Sequence, residues 1–169
     1  MAVHRPSYCY ACGGLLKKKS VHGTKRLVCA QCQTITYRNS KPCVAALILD
    51  DYKVLLTRRG IAPYRNYWDI PGGFLDHGEH PEAGLRRELQ EELGLTVEIV
   101  DLYGMFMDTY GKNGVATLNI IYLCKALHDP TKCADDVVAY QWFSIDQLPK
   151  KIAFKNTRAA LQSLVERVQ

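Results

Sequence analysis

The stretch that decides the fold is Gly73-Phe-Leu-Asp-His-Gly-Glu79-His-Pro-Glu-Ala-Gly-Leu-Arg-Arg87-Glu88-Leu-Gln-Glu91-Glu92-Leu-Gly94-Leu95. Its second half predicts a helix over residues 81–93, with a proline at its start and Gly94 just beyond its end. Because each helical residue turns by about 100°, Glu88, Glu91 and Glu92 share one face. An adjacent apolar stripe, which can pack on a sheet, consists of Leu85, Leu89 and Leu93.

Three glutamates on one helical face repel one another unless a positive charge lies close to them. Arg86 and Arg87 belong to the same helix, but the angular spacing leads us to expect that both point mostly elsewhere. Mg²⁺ prefers oxygen ligands and binds a few carboxylates while keeping waters or substrate phosphates. The spacing is therefore compatible with a metal site, and also with an acidic helix that faces solvent.

From Gly73 onward the stretch resembles the Nudix box, G-x5-E-x7-R-E-U-x-E-E-x-G-U, in which U is a bulky aliphatic residue. Every defined position matches, with Leu89 and Leu95 as the aliphatic residues. The resemblance covers roughly residues 42–150. It implies an α/β (α+β) fold, the Nudix α/β/α sandwich around a mixed sheet.

The resemblance also implies roles for individual residues. The ligands of a catalytic Mg²⁺ or Mn²⁺ would be Glu88, Glu91 and Glu92. A backbone carbonyl at Gly72 or Gly73 would assist them. One of these glutamates, or one on a loop outside the box, would accept a proton from the attacking water. Arg87 and Glu79 would pair and hold the loop against the helix, although an ordinary surface ion pair is the alternative.

The sequence indicates the residues that contact the substrate less clearly than it indicates the metal ligands. Arg58 and Arg59 end a predicted strand beside the site, where either could bind a phosphate; a solvated strand end is the alternative. Tyr67 and Trp68 could stack on a base, but Trp68 fits a core position equally well. Asp136 lies in a region where Nudix proteins often carry an extra catalytic acid.

The remaining segments predict a sheet flanked by helices. Strands are expected over residues 44–49, 53–57, 97–103, 117–125 and 138–143. Glycines and prolines mark residues 60–73 as a loop, and residues 112–114 as a turn. A final helix is expected over residues 157–168, with Asn156 as its cap.

Two C-x-x-C pairs, separated by 16 residues, occupy the N-terminal part of the chain: Cys9, Cys12, Cys29 and Cys32. This spacing is typical of a structural Zn²⁺ site with four thiolates. The alternatives are disulfides, which the lack of a secretory signal disfavours, and a redox pair, which would not need two copies. We expect a zinc ribbon over residues 1–41 and a Nudix hydrolase domain over residues 42–169.

The net charge of +5 is distributed unevenly along the 169 residues. Residues 1–42 contain eight basic side chains and no acidic one, so the remaining 14 basic and 17 acidic side chains sum to −3. A basic unit could bind nucleic acid, but its few aromatic residues and lack of a recognisable helix disfavour this reading. Since no signal peptide or membrane span is evident, a cytoplasmic protein without membrane association is expected.

These observations predict a metal-dependent hydrolase that cuts the phosphoanhydride bond of a nucleoside diphosphate linked to another moiety. A ribbon ahead of a Nudix domain resembles NADH diphosphatases and shorter dinucleotide hydrolases that include FAD diphosphatases. The substrate would be FAD, ADP-ribose, NADH or a similar molecule. The absence of proline between residues 82 and 129 argues against the proline-containing elements of the NADH diphosphatases and of one ADP-ribose signature.

Two other functions remain open at this point. One is a Nudix-like nucleotide sensor, although sensors often lose the box glutamates that this chain keeps. The other is an RNA-end or nucleic-acid-binding protein that uses the basic ribbon. The resemblance also allows a homodimer, because many family members build the site between two subunits.

Overall fold

The computed structural model describes residues 7–111 and 114–168, so the predicted turn at residues 112–114 lies mostly outside the described residues. The chain divides into two compact units, with the division between Asn39 and Ser40. The boundary drawn from the sequence, after residue 41, lies two residues further along the chain.

The first unit is a small antiparallel sheet with the order β1-β2-β3. Its strands are β1 (Leu16–Val21), β2 (Thr24–Cys29) and β3 (Ile35–Thr36). His22 and Gly23 join β1 to β2 with φ angles of 48° and 77°. A two-residue hairpin turn of type I′ requires such positive values at both positions, and its twist matches that of the strands.

The second unit contains seven strands and two helices. They are β4 (Lys41–Asp50), β5 (Lys53–Arg59), β6 (Trp68–Asp69), β7 (Gly72–Phe74), α1 (Pro81–Leu93), β8 (Val97–Tyr110), β9 (Val115–Ala126), β10 (Val137–Ser144) and α2 (Lys155–Val168). The segment 60–73, expected as a loop, thus contributes two short strands. Strand β8 continues seven residues beyond its predicted end.

The predicted cap of the last helix was wrong. Helix α2 begins at Lys155, so Asn156 lies inside its first turn. The backbone N–H of Asn156 donates to the Asp108 carboxylate on β8 at 2.9 Å. The first turn of a helix leaves N–H groups without partners inside the helix, and here a distant strand supplies an acceptor.

The strands of the second unit form one mixed sheet with the order β10-β5-β4-β9-β8. Strands β4 and β9 run parallel, and the other neighbours in that order run antiparallel. The short strand β6 pairs with β5, and β7 pairs with β4. Strand β7, which opens the segment quoted above, is therefore attached directly to the central strand.

Alternate residues of β4 face opposite sides of the sheet, and both sides are buried. Val44, Ala46 and Ile48 belong to one core cluster, together with the leucines of α1. Ala45 and Leu47 belong to a second cluster, together with α2. The predicted α/β/α sandwich around a mixed sheet is confirmed.

Helix α1 spans the residues predicted for it. The His80 side chain accepts from the Glu82 N–H, and Gly94 adopts the left-handed conformation with φ 57° that commonly ends a helix. Within residues 7–111 and 114–168, no helix combines the length and apolar character needed to cross a bilayer.

Replacing Leu89 with alanine tests the packing of α1. Its side chain is fully buried, so the truncation should lower the free energy of unfolding by about 2–5 kcal/mol. Chemical denaturation followed by circular dichroism measures the change. The matched control is Gln90→Ala on the exposed face of the same helix; equal stability of the two variants would contradict the packing described.

Candidate active site

The three glutamates of α1 lie at different depths. Glu88 and Glu92 are buried, with 9% and 4% of their surface exposed, whereas the side chain of Glu91 is 52% exposed. A buried carboxylate needs a hydrogen-bond donor or a positive charge beside it. The surroundings of Glu88 and Glu92 therefore define the site.

One positive charge comes from Arg87, which does not point away from the glutamates as the sequence led us to expect. Its Nη1 lies 2.9 Å from Glu88 Oε1 and 3.1 Å from Glu91 Oε2. The expectation was wrong because Arg87 lies four residues before Glu91, and residues at this spacing are neighbours on one helical face. No comparable contact of Arg87 with Glu92 is present among the described residues.

The same guanidinium makes the predicted pair with Glu79. Arg87 donates from Nε and Nη2 to both carboxylate oxygens of Glu79 at 2.9 Å, and from Nη2 to the Phe74 carbonyl at 3.1 Å. The hydrogen bonds from Arg87, and then that from the Asp76 N–H, lower the pKa of Glu79 to about 2. Arg87 thus ties the loop of residues 74–79 to the helix in a fixed orientation.

The backbone of β7 approaches the glutamates closely. Gly72 donates its N–H to Glu92 Oε2 at 3.1 Å. A Cβ at Gly72 would run into the Val44 carbonyl oxygen, and one at Gly73 would lie 2.5 Å from the Glu88 carboxylate. A side chain at Gly72 would therefore clash with the backbone, and one at Gly73 would displace the Glu88 carboxylate. The backbone of the two glycines forms one wall of the site.

Asp136, in the loop before β10, is a further acidic group that faces Glu92. Burial, and then the negative charge of Asp136, raise the pKa of Glu92 well above its usual range. The guanidinium of Arg59 lies 3.3 Å from Asp136 Oδ2 and 3.5 Å from Asp69 Oδ2. Arg59 is therefore engaged by two carboxylates, and Arg58 is exposed on the opposite side of β5.

Sequence reasoning missed Asp69, which is buried next to this cluster. Burial raises its pKa to about 6, although the Thr157 hydroxyl and Arg59 act in the opposite direction. Its Oδ1 accepts from the Thr157 hydroxyl at 2.5 Å. The sequence contains a local signal, because this aspartate stands between the apolar residues Trp68 and Ile70.

A pocket beside Gly72 and Gly73 has an aromatic rim and polar walls. Phe74 meets Tyr110 edge to face at 5.3 Å between ring centres, and Phe154 stacks on Tyr110 at 5.7 Å. The polar wall includes Thr117, Asn119 and Asp108. Such a pocket suits a planar group that carries hydrogen-bonding atoms.

The two aromatic residues proposed for base stacking have different surroundings. Trp68 packs against the core cluster of α2 and meets Phe143 edge to face at 4.8 Å. It therefore occupies the core position that was its alternative. Tyr67 is half-buried and lies 5.6 Å from the ring of Tyr64, and neither Tyr67 nor Trp68 lines the aromatic-rimmed pocket.

In the first unit, the four cysteines of the C-x-x-C pairs converge. Their sulfur atoms all lie within 4.8 Å of one another, and the sulfurs of Cys12 and Cys32 are 3.2 Å apart. A disulfide would require about 2.05 Å, and all four thiols are free. Hydrogen bonding from the side chain and then the backbone of Thr34 lowers the pKa of Cys32 to about 6, which favours the thiolate that binds metal.

The acidic site is more open than the thiol site. Across the part of the chain that the structure describes, the cysteines form the sole group of three or more metal-ligating side chains that converges within 4.8 Å. The box glutamates do not meet this criterion, since Arg87 engages Glu88 and Glu91 while Glu92 bonds to Gly72. Glu88 and Glu92 nevertheless line a common cleft with Asp135 and Asp136, which Glu91 does not line.

The second unit is thus an α/β/α sandwich with buried carboxylates beside a glycine-walled cleft, a site of the kind that metal-dependent hydrolases use. Residues 39–164 match the NUDIX domain family. The chain belongs to the Nudix hydrolase family.

The chain is similar to known proteins over most of its length. A crystal structure of a NUDIX hydrolase from Nitrosomonas europaea is 29% identical, with a TM-score of 0.82 over 96% of this chain and 92% of that chain. An ADP-ribose pyrophosphatase from Methanocaldococcus jannaschii is 28% identical over 122 residues, which are 72% of each protein. An NAD-capped RNA hydrolase from Vibrio atlanticus is 27% identical over 84% of this chain and 51% of its own length.

Substituting Cys12 with serine tests the thiol cluster. Loss of one of four ligands should reduce bound zinc from about one ion per chain to near zero and destabilise the first unit. Elemental analysis of the purified protein measures the zinc content. Cys133→Ser, in an exposed loop, is the control and should retain its zinc; a Cys12→Ser protein with full zinc content would refute the site.

Proposed function

We propose that this enzyme hydrolyses the phosphoanhydride bond of a nucleoside diphosphate linked to another moiety, such as FAD, ADP-ribose or NADH. The observation that carries the proposal is the contact of two buried carboxylates with a backbone wall of glycines. Glu92 accepts from Gly72, and the carboxylate of Glu88 lies against Gly73. The aromatic-rimmed pocket opens beside the same two glycines.

The donor set fits a hard divalent cation. Its members are carboxylates, which suit Mg²⁺ or Mn²⁺, and burial together with neighbouring acids raises the pKa values of Glu88 and Glu92. A cation would relieve this unfavourable burial. We propose Glu88, Glu91 and Glu92 as its ligands, with a carbonyl of Gly72 or Gly73. When bound, the ion neutralises phosphate oxygens and lowers the pKa of water.

The other residues of the site have positioning and proton-transfer roles in this proposal. Arg87 and Glu79 hold the loop and the helix at a constant separation, as the hydrogen bonds between them require. A glutamate of the box, or Asp136 facing Glu92, accepts the proton of the attacking water. Arg59 orients Asp136 through their ion pair.

In this proposal the nucleoside or its linked moiety occupies the aromatic-rimmed pocket. Tyr110 and Phe154 offer flat surfaces for a ring. The side-chain amide of Asn119 donates to the Phe106 carbonyl and to the Thr117 hydroxyl, and these hydrogen bonds hold the amide in one orientation. The names of the relatives, an ADP-ribose pyrophosphatase and an NAD-capped RNA hydrolase, support a substrate with a nucleoside diphosphate linkage.

The structural Zn²⁺ is assigned to the four clustered cysteines, whose free thiols and mutual distances suit a tetrahedral site. Four protein ligands leave no position for substrate, so this ion would stabilise the ribbon without taking part in hydrolysis. The compartment is proposed to be the cytoplasm, and a homodimer is retained as a proposal because family members build sites between subunits.

A hydrolysis screen tests the reaction. The full chain is incubated with Mg²⁺ or Mn²⁺ and with FAD, NADH, ADP-ribose, diadenosine polyphosphates or capped RNA, and the products are separated by chromatography. We expect cleavage of at least one of FAD, NADH and ADP-ribose to two phosphate-bearing products, and none after chelation of divalent cations. Absence of turnover on every substrate would refute the proposal.

Replacing Glu92 with glutamine should abolish the metal-dependent reaction. The substitution keeps the size of the side chain but removes the buried charge, so turnover should fall at least about 100-fold. The control Glu98→Gln removes the same charge at an exposed position of β8 and should leave the rate unchanged. A near-normal rate for Glu92→Gln would exclude Glu92 as a ligand.

A further inference from the structure

The first unit carries a basic surface that the proposed hydrolysis does not use. The sequence has no aspartate or glutamate before residue 50, so this unit has no acidic side chain of its own to offset its positive charge. The basic side chains that the structure shows as exposed on this unit are Lys17, Lys18, Lys19, Lys25 and Arg38. The unit therefore attracts polyanions.

Part of this surface is concave. Four basic side chains, Lys18, Lys25, Arg26 and Arg38, line a basin together with Leu27 and Thr36. Leu27 pairs with Lys18 on one side and with Thr36 on the other, so these three side chains stand on the same face of the sheet. The register of the strands thus brings these residues together, and the basic side chains concentrate positive charge at the basin.

Exposed aromatic rings accompany the positive charge. Tyr8, Tyr10 and Tyr37 have 64%, 81% and 56% of their surface exposed. The guanidinium of Arg26 lies 4.7 Å from the centre of the Tyr37 ring, so positive charge adjoins this ring directly. Rings of this kind stack on unpaired bases, while basic side chains bind the phosphates between them.

We propose that the first unit binds single-stranded nucleic acid, with phosphates in the basin and bases on the exposed tyrosines. A single strand is favoured over a duplex because exposed tyrosine rings can stack on unpaired bases, which a duplex does not offer. The proposal is independent of which small nucleotide the second unit hydrolyses.

Fluorescence anisotropy with a labelled oligouridylate of about 20 nucleotides tests the proposal on the full zinc-containing chain. The variant K18Q/K25Q/R38Q should bind about tenfold or more weakly, and the slope of log affinity against log salt should fall by about 2. The control K53Q/K125Q/K150Q removes the same charge from exposed positions of the second unit and should bind like the unaltered protein. Equal affinity of the two triple variants would overturn the proposal.

A second variant separates nucleic acid from other polyanions. Y10A/Y37A should bind the oligouridylate about tenfold more weakly but should keep its affinity for inorganic polyphosphate, used as a competitor. If the tyrosine variant binds both probes as the unaltered protein does, the surface is a general polyanion site and the proposal is wrong.

Two parallel measurements keep the result unambiguous. Zinc content and circular dichroism confirm that each variant is folded, and the comparison uses only variants that pass. Hydrolysis of small nucleotides should be unchanged in all ribbon variants. Loss of binding with intact hydrolysis supports the ribbon proposal, while intact binding in a protein without hydrolysis contradicts only the proposed function.

Discussion

The guanidinium of Arg87 is the interaction on which the arrangement of the second unit's cleft depends. It donates to Glu79 and to the Phe74 carbonyl in the loop, and to Glu88 and Glu91 on the helix. Without it, the loop after β7 would have no polar link to the helix face, and neighbouring carboxylates would face one another uncompensated. A planar group with five donors can make these bonds simultaneously, which a lysine cannot.

The sheet supplies the rigidity that this interaction needs. Strand β4 is buried on both faces, and it carries β7 on its edge through the pairs of Val44 with Gly73 and Ala45 with Gly72. The glycines are therefore fixed by the core, and Arg87 fixes the segment that follows them. Helix α1 is held from the other side by fully buried leucines, so the carboxylates and the glycine wall meet between two well-packed elements.

Much of this could be predicted from the sequence because it depends on local spacing. The limits of α1 follow from Pro81 and Gly94, and the convergence of the cysteines follows from their two C-x-x-C turns. Contacts between distant segments could not be predicted in this way. Asp108 accepts a hydrogen bond from the first turn of α2, although the two residues are 48 positions apart. Arg59 contacts Asp136 because β5 and β10 pair. No local pattern in the sequence reveals either contact.

The direction of Arg87, in contrast, could have been predicted from local spacing. Arg87 precedes Glu91 by four residues and is its neighbour on the helix, so the expectation that it points elsewhere was wrong. The position of Trp68 did depend on tertiary structure, since its place in the core is set by Phe143 from another strand.

The attachment of β7 to β4 has a consequence for motion. Amide protons of a central strand buried on both faces exchange with solvent only when the whole cooperative unit opens. Because Gly72 and Gly73 pair with that strand, the wall of the cleft is attached to the core, unlike an active-site lid that opens locally. Substrate admission would then depend on movement of peripheral loops and side chains, while the wall itself stays in place for the lifetime of the folded state.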